Sequence, residues 1–176
     1  YGNHQSVINW EKDGYDIRNF YDDNGKLRSR PQNLEYSFKP ALTWSKITSK
    51  SFSARFCSGG FLFDDAGAIG HSQDLDHLKS ILPILTSKIG DFFLKIINPT
   101  LNYQIGDVGR LPVIALDSST NLLAIGKANR CIKVSEHDWN AYESSWDFTI
   151  LPLLSPDRRA ETLEATYTAL RTHWQG

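Results

Sequence analysis

The pattern of apolar and polar positions changes its period near residue 75. Before that point, short runs rich in aromatic and β-branched residues alternate partly at a period of two, which is typical of β-strands. The predicted strands are residues 33–38, 41–47, 52–57 and 61–64. We expect Gly59-Gly60 to join the last two as a hairpin and Asn24-Gly25 to form a two-residue turn. The first half of the chain therefore predicts a small antiparallel sheet.

From residue 75 onward, apolar side chains recur at steps of three and four, the spacing of an amphipathic helix. These side chains are Leu75, Leu78, Leu82, Leu85, Ile89, Phe92 and Ile96. Ser72 is the predicted N-cap, and Asn98-Pro99 ends the pattern. Because proline lacks the N–H that a helix interior uses, Pro83 predicts either a kink or two consecutive helices. Two further short strands are expected at 103–105 and 111–116.

The last third of the chain is also helical in pattern. Ser135 and Asp138 resemble a capping box, and Ser155-Pro156 predicts another helix start. An apolar stripe follows at Leu163, Tyr167, Leu170 and Trp174. The predicted fold class is α/β (α+β), with a twisted, mostly antiparallel sheet packed on a long helix and additional C-terminal helices. We expect residues 1–116, including a helix at 73–97, to form the core, and residues 117–176 to form a helical extension.

Composition adds the expected setting of the protein. The 176 residues are 40% apolar and 12% aromatic, enough to bury a core. The chain begins at Tyr1 and contains no methionine, so we expect a piece of a longer protein. No run approaches the ~20 apolar residues of a membrane span, and no signal peptide is visible. We therefore expect a soluble, cytoplasmic protein with no membrane partner, in which Cys57 and Cys131 fit two free thiols better than a disulfide.

Charge is concentrated in one segment of a nearly neutral chain. Between Lys26 and Arg55, seven basic residues stand against a single acid, Glu35, a formal charge of +6, whereas residues 131–176 carry −3. Lys and Arg hold phosphates, while Arg, Asn and Gln can form paired hydrogen bonds with base edges. The candidate DNA-binding residues are Lys26, Arg28, Arg30, Gln32, Asn33, Thr43, Ser45, Lys46, Lys50 and Arg55. A solvated sheet face with ordinary surface lysines is the alternative interpretation.

Motifs for catalysis are not found. Methyl transfer to a base needs a glycine-rich cofactor loop and an Asn/Asp-Pro-Pro-aromatic turn, and Asn98-Pro99-Thr100 lacks the second proline and the ring. The five histidines are scattered, with none at metal-ligand spacing. Asp64-Asp65 could bind Mg²⁺, but no Glu-x-Lys follows, and surface acids fit better. We expect no catalytic residue, no metal and no cofactor in this chain.

Specific strings of sequence are spread over nearly the whole chain. They include residues 10–15, 24–33, 36–39, 42–45, 60–64, 85–88, 98–104, 106–107, 111–113, 135–139 and 143–148. Together these strings resemble the large adenine-specific DNA methyltransferases of phage-exclusion systems, the BREX or PglX type. Two departures from that family are Pro83, where a helix-compatible residue is usual, and a divergent stretch at 65–71.

The resemblance implies a position after the catalytic methyltransferase domain, in the target-recognition region. That region is also similar, more weakly, to single-chain type IIG restriction-modification enzymes and type I specificity subunits. It implies that residues 1–116 are a target-recognition core, with double-stranded DNA and the catalytic domain of the same polypeptide as partners. Other proteins of a defence complex are further expected partners. S-adenosylmethionine is implied as a cofactor of the parent enzyme, which methylates the exocyclic amine (N6) of adenine.

Three functions are compatible with these observations. The first is a DNA-reading module that positions one adenine for the catalytic domain, and this is the function we expect. The second is a protein-interaction module of a phage-defence complex, suited by the aromatic content and the acidic last third. The third is an independent enzyme such as a nuclease. Only the first requires salt-dependent DNA affinity from the basic segment. For this function we expect some of the residues that recognise the base sequence to lie in segments 50–55 and 65–73.

Overall fold

The computed structural model describes residues 1–2 and 4–175 and contains a three-stranded antiparallel sheet in the order β2-β1-β3. The strands are β1 (Ala41–Ser45), β2 (Ala54–Cys57) and β3 (Gly67–His71). In the central strand, Thr43 lies opposite Arg55 of β2 on one side and Ile69 of β3 on the other. Because side chains alternate between the faces of a strand, these three share one face. The predicted mixed α/β fold with an antiparallel sheet is confirmed.

Two consecutive helices, α2 (Leu75–Thr86) and α3 (Lys88–Ile97), follow the sheet. α2 contacts β2 and β1, and its buried residues are Leu78, Leu82 and Leu85. Leu42, Trp44 and Phe56 alternate with the residues of the Thr43 face and are buried as well. The predicted apolar stripe therefore forms a core in its first half. In α3 it does not, because Ile89, Phe92 and Ile96 are exposed and Leu94 is buried instead.

The junction between α2 and α3 lies at Ser87. Two consecutive helices were one of the predicted outcomes, but a single helix at 73–97 is wrong, and α2 runs through Pro83 to Thr86. The Ser87 hydroxyl accepts a hydrogen bond from the Gly90 N–H at 2.9 Å, which caps α3. A Cβ at Gly90 would collide with the backbone oxygen of Ile84, so only glycine allows the two helices to meet this closely. The N-cap of α2 is Asp74 rather than the predicted Ser72.

Two of the predicted strands before residue 75 are wrong. Residues 33–38 contain a 3₁₀ turn at Leu34–Tyr36, entered through Asn33 at a φ of 53°. Residues 61–64 are not a strand, and the third strand comes later, at 67–71. Gly59-Gly60 therefore does not join two strands, and the Gly60 N–H instead bonds the Phe38 carbonyl at 2.9 Å. Glycine pairs and β-branched content therefore did not locate strands correctly in these two segments.

The region after α3 is mostly loop. Residues 101–103 run beside the end of β1, where the Tyr103 N–H bonds the Lys46 carbonyl at 2.7 Å and the Thr48 N–H bonds the Leu101 carbonyl at 3.0 Å. The predicted strand at 103–105 is wrong because the short helix α4 (Ile105–Val108) begins at Ile105. The predicted strand at 111–116 is also wrong, since this segment has no regular structure.

The chain divides into two compact units, residues 7–131 and residues 1–6 together with 132–176. The first contains α1 (Glu11–Arg18), the sheet and the start of α5 (Ser118–Asn140); the second contains the end of α5 and α6 (Leu163–Gln175). Ser135 and Asp138 lie inside α5, so the predicted capping box is wrong.

Ser155-Pro156 begins only a 3₁₀ turn at Pro156–Arg158. In α6, Leu170 is buried, whereas Leu163, Tyr167 and Trp174 of the predicted stripe are exposed. Within its unit α6 packs on the short 3₁₀ turns before it, and Thr166 is the second buried residue of the helix.

Candidate nucleic-acid interface

Nine of the ten predicted site residues fall into two groups, both within the unit formed by residues 7–131, and Thr43 lies outside both groups. We call residues 20–33 the basic turn and residues 45–55 the basic loop. The basic turn contains Lys26, Arg28, Arg30, Gln32 and Asn33, and the basic loop contains Ser45, Lys46, Lys50 and Arg55. Over residues 1–2 and 4–175, no hydrogen bond or ion pair joins the two groups. The basic segment that the sequence predicted as one site thus contains two groups that belong to different parts of the fold.

The basic turn is organised around the carboxylate of Asp22. Its Oδ1 accepts hydrogen bonds from the backbone N–H groups of Asn24 at 3.1 Å and Lys26 at 2.9 Å. Its Oδ2 lies 3.8 Å from Nη1 of Arg28. Tyr21 and Leu27 form an antiparallel bridge around it, and Gly25 adopts a φ of 75°. A turn is thus present where Asn24-Gly25 predicted one, but its loop is longer than two residues.

All five candidate side chains of the basic turn are exposed. In the described part of the chain, no acid lies within ion-pair distance of Lys26 or Arg30. Asn33 holds the left-handed conformation that starts the 3₁₀ turn, which displays its amide on the surface. Two cations and two amides are therefore available to a partner without breaking any internal contact.

The basic loop is tied to the sheet. Ser45 and Arg55 are half-buried on the Thr43 face, where Arg55 Nη2 lies 3.5 Å from Ser45 Oγ, the outer limit of a hydrogen bond. Lys46 forms an ion pair with both carboxylate oxygens of Asp65 at 2.8 Å. Lys50 is exposed. This group presents one free ammonium, one paired ammonium and one guanidinium along the end of β1.

Thr43 differs from the other candidates because it is only 5% exposed. Its hydroxyl donates a hydrogen bond to the carbonyl of Ala68 at 3.0 Å, across to the neighbouring strand. This contact favours a role in holding the sheet together rather than in contacting a ligand.

A groove beside the basic loop was not predicted. It has a volume of about 710 Å³ and is lined by Ser49, Lys50, Ser51, Lys95, Pro99, Thr100, Leu101 and Tyr103. Lys95 comes from α3, where its Nζ lies 2.6 Å from Oδ2 of Asp91. The four-residue spacing of Asp91 and Lys95 is visible in the sequence and predicts this ion pair. The position of Lys95 beside residues 49–51 depends on the tertiary structure and could not be predicted from a local sequence pattern.

Two charged groups in this region have shifted pKa values. The hydrogen bond from Lys95, with a smaller contribution from the Phe52 N–H, holds the pKa of the Asp91 carboxyl below its ordinary value. The same hydrogen bond raises the pKa of the Lys95 ammonium. Elsewhere, burial raises the pKa of the free Cys57 thiol, which disfavours the reactive thiolate, and Cys131 is a free, exposed thiol.

Asn98, the residue that resembles the start of a base-gripping turn, is occupied within its own loop. Its Nδ2 donates to the Asn102 carbonyl at 2.8 Å and to Oδ2 of Asp107 at 2.7 Å. Its Oδ1 accepts from the backbone N–H and the hydroxyl of Thr100. Every polar atom of the amide therefore has a structural partner.

Two further features are absent from the part of the chain that the structure describes. No three His, Cys, Asp or Glu side chains there are placed to hold a metal ion. None of the described helices combines the length and the apolar character needed to cross a membrane.

No protein-family model matches the chain. The adenine-specific methyltransferase PglX of Lacticaseibacillus casei (strain Zhang) is 36% identical over 171 residues, which cover 95% of this chain and 14% of that protein. The chain is similar to one segment of an adenine-specific methyltransferase. The adenine-specific methyltransferase BrxX of Escherichia coli O9:H4 (strain HS) is 34% identical over 151 residues, covering 85% of this chain and 12% of that protein.

The chain thus spans about one seventh of the length of these curated relatives. The resemblance of the sequence to adenine-specific methyltransferases of the PglX type is confirmed to this extent.

Proposed function

We propose that this chain is the DNA target-recognition module of an adenine-specific (N6) DNA methyltransferase that works in phage defence in the cytoplasm. The observation that carries the proposal is the similarity to PglX over 95% of the chain but only 14% of the relative. A segment of that size has the length of one ordinary domain. In this proposal a catalytic domain of the same polypeptide binds S-adenosylmethionine and transfers the methyl group, and this chain binds duplex DNA and positions the adenine.

The distribution of free charge supports a DNA partner. The chain has a formal charge of −1, so attraction to DNA must come from local groups of cations. Lys26, Arg30 and Lys50 have no ion-pair partner among the described residues, and each can neutralise a phosphate without first breaking an internal pair.

The proposed division of labour follows from the chemistry of the side chains. Phosphates are held by cations, and in this proposal the phosphate-binding residues are Lys26, Arg28, Arg30, Lys46, Lys50 and Arg55. Gln32 and Asn33 carry amides that suit base edges, and Ser45 offers a hydroxyl beside Arg55. Thr43 is not one of the proposed DNA-contacting residues, because its hydroxyl donates a hydrogen bond to the Ala68 carbonyl of the neighbouring strand.

The basic turn offers the cleanest test of this function. Replacing Arg28 and Arg30 together by alanine should weaken binding of a 20-base-pair duplex. The slope of log affinity against log salt should fall by about 0.9 for each phosphate that is no longer neutralised. Fluorescence anisotropy over a series of KCl concentrations measures both quantities, in this chain and in the parent methyltransferase.

The matched control replaces Lys127 and Arg130, two exposed cations of α5, by alanine. This double variant removes the same charge from outside both basic groups and should leave the slope close to that of the wild-type protein. If the two double variants behave alike, binding depends on total charge alone and the basic turn is not an interface.

A protein-interaction module is the second candidate, favoured by one observation. Ile89, Phe92 and Ile96 are exposed on α3 at helical spacing, with exposed fractions of 68%, 61% and 63%, and an apolar surface of this kind is typical of contact with another protein. A lack of salt-dependent DNA affinity in both the wild-type chain and the parent enzyme would favour this second function over DNA recognition.

A further inference from the structure

The walls of the groove are held in place by the fold. One wall, residues 49–51, follows Thr48, whose Oγ1 accepts the Lys50 N–H at 3.1 Å. The two walls are joined to each other by the backbone hydrogen bonds of residues 46 and 48 with residues 101 and 103. A binding site that is already ordered loses less conformational entropy when a ligand binds. The two walls of the groove are therefore hydrogen-bonded to each other and not separate loops.

The floor of the groove is attached to the core. Tyr103 is buried, and its carbonyl accepts the indole N–H of Trp44 at 3.1 Å. The Tyr103 ring packs on Phe52, with ring centroids 5.2 Å apart. Pro99 and Leu101 add apolar surface at the wall. An apolar floor with polar sides suits a ligand that has both a carbon-rich part and a charged part.

The sides of the groove supply two ammonium groups from different elements. Lys50 comes from the basic loop and Lys95 from α3, and hydroxyl-bearing residues Ser49 and Ser51 line the same wall as Lys50. Asp91 holds the Lys95 ammonium, and its other oxygen accepts the Phe52 N–H at 3.0 Å. One carboxylate thus connects Lys95 to the loop that carries Lys50.

We infer that this groove is a sugar–phosphate site, in which Lys50 and Lys95 together hold one backbone phosphate of duplex DNA and the apolar floor contacts the attached sugar. The inference rests on the proposed function and adds Lys95 to the DNA-contacting residues. A phosphodiester carries one negative charge and is joined to the carbon atoms of a deoxyribose, and these two parts match the ammonium groups and the apolar surface of the groove. A volume of about 710 Å³ is within the range of small-ligand sites and admits a group of this size.

The test uses Lys50→Gln, Lys95→Gln and the double variant in the full chain, with a 20-base-pair duplex as the probe. Each single variant should weaken binding and lower the salt slope by less than about 0.9, because the remaining lysine still neutralises part of the shared charge. Because both lysines serve one phosphate, the salt slope of the double variant should fall by the amount expected for one phosphate and not for two. Lys95→Arg keeps the charge and should restore most of the affinity.

Lys88→Gln is the matched control, since Lys88 is an exposed lysine in the first turn of α3 and does not line the groove. It should bind as tightly as the wild-type chain. A wild-type slope in the double variant overturns the inference, and so does an equal loss of affinity in the Lys88 control. If the Arg28/Arg30 double variant lowers the salt slope but the groove variants do not, the groove inference is wrong and the proposed function stands. If the wild-type chain itself does not bind the duplex, the proposed function is contradicted.

Discussion

The basic turn and the basic loop carry the same kinds of side chain but are built in different ways. The basic turn is closed by a short backbone bridge and by hydrogen bonds to a single carboxylate, Asp22. The basic loop begins in one strand and ends in another, and between them Phe52 is buried against Trp44 and Tyr103. One group is a local structure on the surface, whereas the other is continuous with the core.

Because of this difference, substitutions in the basic turn should affect binding without affecting folding, whereas substitutions in the basic loop should affect both. Exposed charges contribute little to stability, so the cations of the basic turn can be changed with little effect on folding. In the basic loop and its groove, Asp91 bonds both Lys95 and the Phe52 N–H. A change there alters the position of a cation and the packing of the core together.

The largest expected effect comes from the buried side of α3, the helix that carries Lys95. Leu94 of α3 has an exposed fraction of 0%, and Leu94→Ala should lower the free energy of unfolding by about 2–5 kcal/mol because it leaves a cavity. Chemical denaturation measures this decrease. Amide hydrogen exchange should become faster at residues 49–53 and remain unchanged at residues 22–28.

The control for this prediction is Phe92→Ala on the same helix. Phe92 is 61% exposed, so the change should stay within about 0.5 kcal/mol of the wild-type stability. An equal decrease of amide protection in the basic turn and the basic loop after Leu94→Ala would contradict the difference between them.

A smaller effect is expected from the pH dependence of the Asp91–Lys95 pair. The pKa of Asp91 is lowered in the folded chain from its ordinary value of 3.8. The carboxylate therefore stabilises the fold above about pH 4, and this contribution disappears as the pH falls through the lower, folded pKa. Asp91→Asn should be less stable than the wild type at pH 6, and the difference should shrink toward pH 2.5.

Denaturation curves at several pH values measure that difference. Asp76→Asn is the control, because Asp76 is an exposed acid of α2 that makes no ion pair among the described residues. A gap between wild type and Asp91→Asn that is constant from pH 6 to pH 2.5 would show that the ion pair adds nothing to stability.

The smallest change in stability is expected in the basic turn. Asp22→Ala removes two exposed hydrogen bonds to backbone N–H groups and should cost less than about 1 kcal/mol. The turn itself should loosen, so that hydrogen exchange rises at residues 22–28 and DNA binding weakens, even though a negative charge has been removed. Asp23→Ala removes the same charge without those hydrogen bonds and should strengthen binding slightly. If both variants strengthen binding, Asp22 does not organise the turn.

Sequence patterns located the elements of this protein better than their partners. The alternation at 41–47 and 52–57 predicted β1 and β2, and the spacing of Leu78, Leu82 and Leu85 predicted the buried side of α2. The same spacing failed at Ile89, Phe92 and Ile96, because periodicity shows that a helix has an apolar face but not whether anything covers it. The strand at 67–71 was missed because its two glycines and alanine give no β-like signal.

The candidate interface shows the same limit. Charge counting found the excess of cations between Lys26 and Arg55, and the resemblance to adenine-specific methyltransferases was visible in the strings of residues themselves. Neither could show that the Thr43 hydroxyl bonds the Ala68 carbonyl, that Lys46 is paired with Asp65, or that Lys95 and Lys50 line one groove.

The sequence by itself determined the local features of the chain: the strand and helix periods, the turn at Gly25, the basic segment and the similarity to PglX. These depend on residues that are neighbours along the chain, so the order of residues carries them. Only the tertiary structure decided which cations stand together and which face of each helix is covered. Those outcomes depend on contacts between distant residues, such as Phe52 with Asp91 and Trp44 with Tyr103. Such contacts form because burying the shared core stabilises one packing of the elements over others.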